Sequence, residues 1–380
     1  LKNYNKTNVM LVGCVAVILS IIVTACTNTT GTANVKTKVD TDGSEISASS
    51  DAKEFSEPSD EIRLIGWDAA IAHIDLVTAY EGGFFSEEGL TAKFVFNNSN
   101  PDNIQALIDG KTDLIGAGIA AELQYIDEGA DLVVIGGQMS LGETVYALPE
   151  RADEFTELNE ETLTGKRIGV TRMNTGDVAF RKILADRGVD LEKIEFVELD
   201  SQATVIQAVI NKEVDLGINF LTYRSLAEGE GLVPVSQLDA EDEWPDYICC
   251  RLVTTKKKLE NDREKFVKAL KANIKAYELI KNNHEKALEV AGKALNLERD
   301  VLEEQLYNYG HLGLSPNPNK RSIKEFYKAM VNVGYIEGNV NIDDYIDTTI
   351  YEDALNELIK EDPDNDIYNE LMNEFKETNI

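Results

Sequence analysis

From residue 62 onward the chain sets short apolar runs between stretches whose apolar residues recur every three or four positions, the alternation of β-α-β units. The runs predict strands at 62–66, 92–96, 113–116 and 132–136, with helices near 73–82, 101–109 and 119–128 between them. A second series opens at Gly165: strand 167–171, helix 177–187, strand 194–199, helix 202–211 and strand 215–220. The two series echo each other at a constant offset of 102 residues. Ile104-Gln105-Ala106-Leu107-Ile108-Asp109 returns as Ile206-Gln207-Ala208-Val209-Ile210-Asn211, Asp113-Leu114 as Asp215-Leu216, and Phe94-Val95 as Phe196-Val197. Three elements in one register read as two lobes built alike. The fold class is therefore α/β and two-lobed, with a cleft where the carboxyl ends of the two sets of strands face each other.

Beyond Tyr247 the pattern gives a strand at 248–254 and then a largely helical region, with helices at 263–284, 302–309 and 322–333. A strand in that place crosses back to the first lobe, which makes the lobe discontinuous and the hinge two-stranded. The expected organisation is 61–150 for the first part of lobe 1, 151–247 for lobe 2, and 248–350 for the return to lobe 1 with its C-terminal helices. Residues 351–380 form an acidic C-terminal helix or tail. Its end, 361–380, carries seven acidic residues and one lysine and reads as a solvated helix or frayed end.

The N-terminal region has another character. Lys2 and Lys6 precede an uncharged apolar run over 9–25, the layout of a signal peptide over 1–25. The run ends in Val23-Thr24-Ala25-Cys26, which resembles the bacterial lipobox. That resemblance implies cleavage before Cys26 and a lipid on its sulfur, anchoring the chain at the outer face of the cell membrane. Residues 26–60 then hold the lipidated cysteine and a disordered tether rich in Thr, Ser, Asp and Ala. A flexible coil of that length averages about 30 Å end to end.

The 380 residues suffice for two domains with a sizeable core. Charge narrows the partners: 37 basic against 68 acidic side chains give a net charge of −31. Nucleic acid is excluded, because phosphate binding needs a basic stripe. The same field repels an anionic membrane surface, so membrane attachment is local to the anchor. Past the anchor the cysteines are Cys249 and Cys250, adjacent and unable to staple distant segments. They read as two small buried residues on a strand, with a vicinal disulfide as the alternative.

Catalytic chemistry finds little support. His73, His284 and His311 are not spaced with Cys or Glu for a metal, and neither a nucleophile elbow nor a phosphate-binding loop occurs. The reading is a binding protein without catalytic residues, metal or cofactor. Gly116-Ala117-Gly118-Ile119-Ala120-Ala121 matches part of a dinucleotide fingerprint, but Gly136-Gly137-Gln138 stands where the acid belongs. The glycines instead expose backbone N–H groups at a helix start, so Gly118 and Ile119 are candidate ligand contacts. Asn174, Thr175 and Gly176 open the matching helix of the second lobe, as cap, ligand contact or both. Trp67 and His73 follow the first strand, one as a stacking surface and the other as a polar contact, or both as core. Asn219, Phe220, Tyr223 and Arg224 follow a second-lobe strand, and Asn219 and Tyr223 join the candidate set. Arg251, near the hinge, suits a carboxylate or sulfonate, or pairs with one of the many acids.

Three motifs carry a family resemblance. They are His73-Ile74-Asp75-Leu76-Val77-Thr78-Ala79-Tyr80-Glu81-Gly82-Gly83-Phe84-Phe85-Ser86-Glu87-Glu88-Gly89-Leu90, the Ala-Leu-x-x-Gly-x-x-Asp-Leu run at 106–114, and Leu163-Thr164-Gly165-Lys166-Arg167-Ile168-Gly169-Val170. Over roughly residues 60–350 the chain resembles the nitrate/sulfonate/taurine and thiamine-precursor group of ABC-importer solute-binding proteins. The resemblance implies a type II periplasmic-binding fold and a monomer whose lobes close over a small solute, sulfonate- or nitrate-like or pyrimidine-like. It also implies a transmembrane permease and a cytoplasmic ATPase as partners. Thiamine-precursor members show Trp, Pro and Asn before their His; here Trp67 and His73 match while the Pro and Asn are absent. Sulfonate binders show a Gly-Ser-rich second-lobe loop, which Asn174-Thr175-Gly176 matches in part. Two other classes stay open: an enzyme on the same fold, like the thiamine-pyrimidine synthases, and a surface sensory or adhesion lipoprotein with a degenerate cleft.

Overall fold

The computed structural model describes residues 60–67, 71–295 and 297–379. The expected signal peptide, the lipidation of Cys26 and the tether lie outside the described residues. The strands are β1 Glu61–Gly66, β2 Thr91–Phe96, β3 Leu114–Gly118, β4 Leu132–Gly137, β5 Met139–Ser140 and β6 Glu143–Ala147. They continue as β7 Arg167–Thr171, β8 Glu195–Leu199, β9 Leu216–Phe220, β10 Val233–Gln237, β11 Cys250–Thr255 and β12 Gly313–Leu314.

Two five-stranded sheets result, ordered β2-β1-β3-β11-β4 and β8-β7-β9-β6-β10. In each, the first two strands and the third run parallel, and the fourth place is taken by a strand antiparallel to its neighbours, β11 in one sheet and β6 in the other. The chain crosses to the second sheet at Met139–Ser140 and Glu143, earlier than the boundary at 150 expected from the sequence, and β6 is already a second-lobe strand. Four strands escape the periodicity reading, among them the two-residue strands β5 and β12. β6 is a five-residue strand with no clear alternation, and β10 contains Pro234, which a sheet tolerates only at its edge, where β10 lies.

The 102-residue echo has a physical basis. The helices Asn100–Ile108 and Gln202–Ile210 start and end at the same offset, as do β3 and β9. Ser99 and Ser201 cap the two helices, each accepting a backbone N–H of the first turn, at 3.3 and 3.2 Å. Asp113 donates its N–H to the Arg63 carbonyl at 2.8 Å and accepts the Arg63 N–H at 2.9 Å. Asp215 does the same with Arg167, at 2.7 and 2.6 Å. One aspartate per lobe thus fixes where the third strand joins the first. Burial works against the Asp113 carboxylate, but hydrogen bonds from Arg63 and Lys258 prevail and hold its pKa down at about 2.

The lobes are joined by two crossings that pair with each other. Cys249 N–H donates to the Met139 carbonyl at 3.2 Å and Leu141 N–H to the Tyr247 carbonyl at 3.3 Å. Between them Leu141 sits in the left-handed region at φ 66°, followed by Gly142 at φ 96°. A left-handed leucine is uncommon and stores strain at the point where the chain changes lobe.

The acidic tail needs a correction. Residues Thr349–Glu361 and Asp366–Thr378 are helices whose apolar faces are buried, not a solvated or frayed end. Tyr351, Leu355, Leu358, Tyr368, Leu371 and Phe375 join Ile62 and Leu64 of β1 in one core cluster. The count of acids concealed an apolar stripe at 367, 371 and 375 with helical spacing. Lys271 is buried among Glu88, Glu357 and Glu361 at 3.0, 3.3 and 2.7 Å, clamping the first of these helices to the lobe.

A second clamp holds the chain beyond the helix Lys320–Asn332. The Asp127 carboxylate accepts the Tyr327 hydroxyl at 2.5 Å, the backbone N–H groups of Glu337, Gly338 and Asn339, and the Asn339 amide. Asp127→Ala leaves those donors without their charged acceptor and should cost about 2–4 kcal/mol in urea unfolding. A loss below about 0.5 kcal/mol, the range of ordinary surface substitutions, would show that another contact holds this segment.

Candidate functional site

A narrow cavity lies between the sheets. Its walls come from the carboxyl ends of strands in both lobes. Trp67, Ala72 and His73 follow β1, Asn100 opens the helix after β2, and Gly118 ends β3. Across from them, Asn174 and Thr175 start the helix Thr175–Asp186 after β7, Phe220 ends β9, and Cys249 and Cys250 lead into β11. Two larger surface hollows sit among Lys320, Lys324 and Asp343 and among Lys182, Glu243 and Lys328. Neither is lined by a strand residue, so the position shared by open α/β sheets falls to the smaller, interlobe cavity.

The lobes build their halves of the cavity in the same way. The Asn100 side-chain carbonyl accepts the Gly118 N–H at 3.2 Å, and 102 residues later the Gln202 carbonyl accepts the Phe220 N–H, also at 3.2 Å. A side-chain amide on the first helical turn thereby fixes the last residue of the third strand in each lobe. Trp67 meets Phe220 edge-on across the cleft, with ring centroids 5.8 Å apart. The Cys249 carbonyl ties the lobes directly, accepting the Ile119 N–H at 2.7 Å and the Thr175 hydroxyl at 3.2 Å.

Of the sequence candidates, Trp67, His73, Gly118, Asn174 and Thr175 line the cavity, and the other five do not. The Ile119 and Gly118 N–H groups that the glycines were expected to leave free are taken by Cys249 and Asn100. The Gly176 N–H is taken by the Asn174 side chain at 2.9 Å, and a Cβ at Gly176 would meet Glu143 at 2.8 Å, so that glycine serves packing. Asn219 turns inward and donates to Gln202, which makes it a positioning residue for Phe220. Tyr223 packs edge-on against Phe220. Arg251 is buried and donates to the carbonyls of Met139 at 3.2 Å and Cys250 at 2.6 Å, holding the crossing rather than facing a ligand. Asn100, Cys249 and Cys250 were not singled out for the site. The repeat could have found Asn100, since it stands 102 residues before Gln202 beside a capping serine.

The electrostatics are those of a neutral site. Burial drives the His73 pKa down to about 3, so the ring is uncharged. Its Nδ1 accepts the Trp67 backbone N–H at 3.2 Å, which places the proton on Nε2. Beneath it, the buried Asp75 carboxyl accepts from the Asn273 amide at 3.0 Å, the Gln138 amide at 3.1 Å and the Leu76 N–H at 2.9 Å. Burial outweighs these bonds and raises its pKa to about 6. Gly116 lies between the layers: a Cβ there would collide with the Gln138 side chain and approach His73 Nδ1 to 2.9 Å. Burial also pushes Glu122 and Glu143 well above the usual carboxylate range. The indole N–H of Trp67 is buried and has no hydrogen-bond partner among the described residues. Among those residues no group of three His, Cys, Asp or Glu side chains is placed to hold a metal ion.

The NMT1/THI5-like family model matches residues 70–287, more than half of the chain. The chain belongs to that family. A curated relative of this NMT1/THI5-like protein, a candidate binding protein of Brucella abortus, is 25% identical over 245 residues, covering 64% of this chain and 72% of the relative. Among solved structures, the nitrate-binding protein of Synechocystis superposes with a TM-score of 0.66 at 12% identity, over 79% of this chain and 89% of that one. The alkanesulfonate-binding protein of Xanthomonas axonopodis, bound to MOPS, gives 0.62 at 17% identity, over 77% and 99%. At such identities the likeness is one of fold. The NMT1/THI5-like chain has the periplasmic-binding-protein architecture of two α/β lobes.

Asp75 makes the buried layer testable. Its native pKa of about 6 lies above the unfolded value of 3.8, so the native state gains by holding the proton. That contribution is full below pH 3.8 and is lost as pH rises through 6. The stability of the natural protein relative to Asp75→Asn should therefore fall by about 3 kcal/mol from acid to neutral pH in urea titrations. His73, whose lowered pKa acts in the opposite sense, is common to both proteins and cancels. A difference independent of pH would mean that Asp75 has the same pKa in the native and the unfolded state.

Proposed function

We propose that the protein is the extracytoplasmic solute-binding subunit of an ABC importer and that its cleft takes a small, uncharged, planar molecule. The observation that carries the solute class is the absence of any charged side chain among the described residues lining the cavity. An anion would therefore lack a cationic partner, and the nearby helix-start N–H groups of Gly118, Ile119 and Gly176 already have protein acceptors. A planar heterocycle suits the walls better. Trp67 and Phe220 offer aromatic surface from opposite lobes, the Trp67 indole N–H lacks an acceptor among the described residues, and Asn100, Asn174 and Thr175 supply polar edges.

Capture works by hinge closure. A solute held by both walls binds the closed form better than the open one, and this differential affinity shifts the lobe equilibrium. Turning a mostly open population into a mostly closed one needs about 5.5 kcal/mol of differential binding. The closed, loaded form then docks on the membrane permease whose ATPase drives import, while a lipid on Cys26 keeps the protein at the outer membrane face.

Calorimetry against a panel of aminopyrimidines, methanesulfonate and nitrate tests the solute class. An aminopyrimidine should bind, with Trp67→Phe weakening it about tenfold through the lost hydrogen bond, while the anions should not. Tight binding of an anion and of no neutral heterocycle would overturn this class. Small-angle scattering with the bound compound should show compaction, and an unchanged radius of gyration at saturation would reject hinge closure.

A further inference from the structure

Cys249 and Cys250 are both buried, both free, and both in the wall of the interlobe cavity. Their sulfur atoms lie 3.4 Å apart. They pack with Ala72 and Met139, and Trp67 lies against that cluster. Their backbone is also the meeting point of the two lobes. The Cys249 carbonyl accepts Ile119 N–H from the first lobe and the Thr175 hydroxyl from the second, and the Cys250 carbonyl accepts Arg251 at 2.6 Å. Two small residues filling a core position would need neither two thiols nor a shared cavity face.

We propose that Cys249 and Cys250 form a reversible two-electron oxidation site whose closure to a vicinal disulfide rebuilds the cavity wall. The oxidant is a low-molecular-weight disulfide. One cysteine, as thiolate, attacks a sulfur of that disulfide, forming a mixed disulfide and releasing one small thiol. The second cysteine, losing its proton, attacks the protein-side sulfur, which closes the ring and releases the second small thiol. The protein loses two protons and two electrons, and the small disulfide gains them. Adjacent Cα atoms are about 3.8 Å apart, closer than the usual 4.4–6.8 Å span of a disulfide, so the ring cannot form without turning the intervening peptide. That peptide bears the Cys249 carbonyl on which Ile119 and Thr175 converge, so oxidation changes how the lobes meet. Trp67, packed on the same cluster, senses the change.

The inference rests on the cavity geometry, and its test is independent of the solute named above. The full chain, purified reduced, is treated with oxidised glutathione, and its thiols are mapped by alkylation and peptide mass spectrometry. The peptide carrying Cys249 and Cys250 should lose two hydrogens and resist alkylation, even after denaturation, until dithiothreitol is added. Cys250→Ser should instead retain a glutathione adduct on Cys249. Tryptophan emission should shift on oxidation of the natural protein, return with dithiothreitol, and stay constant in the Cys249→Ser/Cys250→Ser protein. Free thiols after treatment, or an adduct that never closes in the natural protein, would overturn the site. Ring closure without any change in emission would overturn its coupling to the cavity wall.

Discussion

The chain passes between its lobes at Met139–Ser140 and again just before β11, and at both places its peptide groups must find partners away from the interior of either sheet. They find them in each other, through Cys249 with Met139 and Leu141 with Tyr247, and in the two helix starts that face the cleft. The carbonyl of Cys249 serves one helix start from each lobe. Arg251 directs one guanidinium nitrogen, Nη1, to the Met139 and Cys250 carbonyls for the same reason. The site inherits its character from this arrangement. Helix-start N–H groups that could have held an anion are taken by Cys249, Asn100 and Asn174, and Arg251, which does not line the cavity, donates to the crossing carbonyls.

A chain with a net charge of −31 surrounds a cavity with no charged side chain among its described walls. Of the acids behind the wall, Glu122 and Glu143 are kept from acting as charges by burial, while Asp75 ionises as pH rises through about 6. Asp75 is held between three donors, Glu143 accepts the Tyr247 hydroxyl at 2.5 Å, and Glu122 has only Arg251 to oppose its desolvation. A low dielectric is thus used to lower the local field, and the neutral imidazole of His73 belongs to the same scheme.

Much of the fold was legible because it is written twice. Asp113 and Asp215 occupy the same junction, Ser99 and Ser201 the same cap, and the offset of 102 extends to the amides of Asn100 and Gln202 in a different residue type. The site was legible only where it follows the rule of strand ends, as at Trp67, His73 and Asn174. The rule says which residues stand near the cleft but not which way they turn. Asn219 turns to Gln202 while its neighbour Phe220 forms the wall. Arg251 could not be placed without the carbonyls it serves, which lie 112 residues away in sequence and next door. The C-terminal helices were misread because their acids outnumber the stripe that packs.

The exchange of strands between lobes also sets an order of assembly. Every strand of the second sheet lies in one continuous stretch, from Glu143 to Gln237. The first sheet has a gap between β3 and β4 that only β11 fills, and β1 is packed by helices that end at Thr378. During synthesis from the N-terminus, the second lobe has all its strands while the first is still split through its centre. The first lobe therefore closes after the second, because its sheet waits for β11 and its β1 face for the helices that follow.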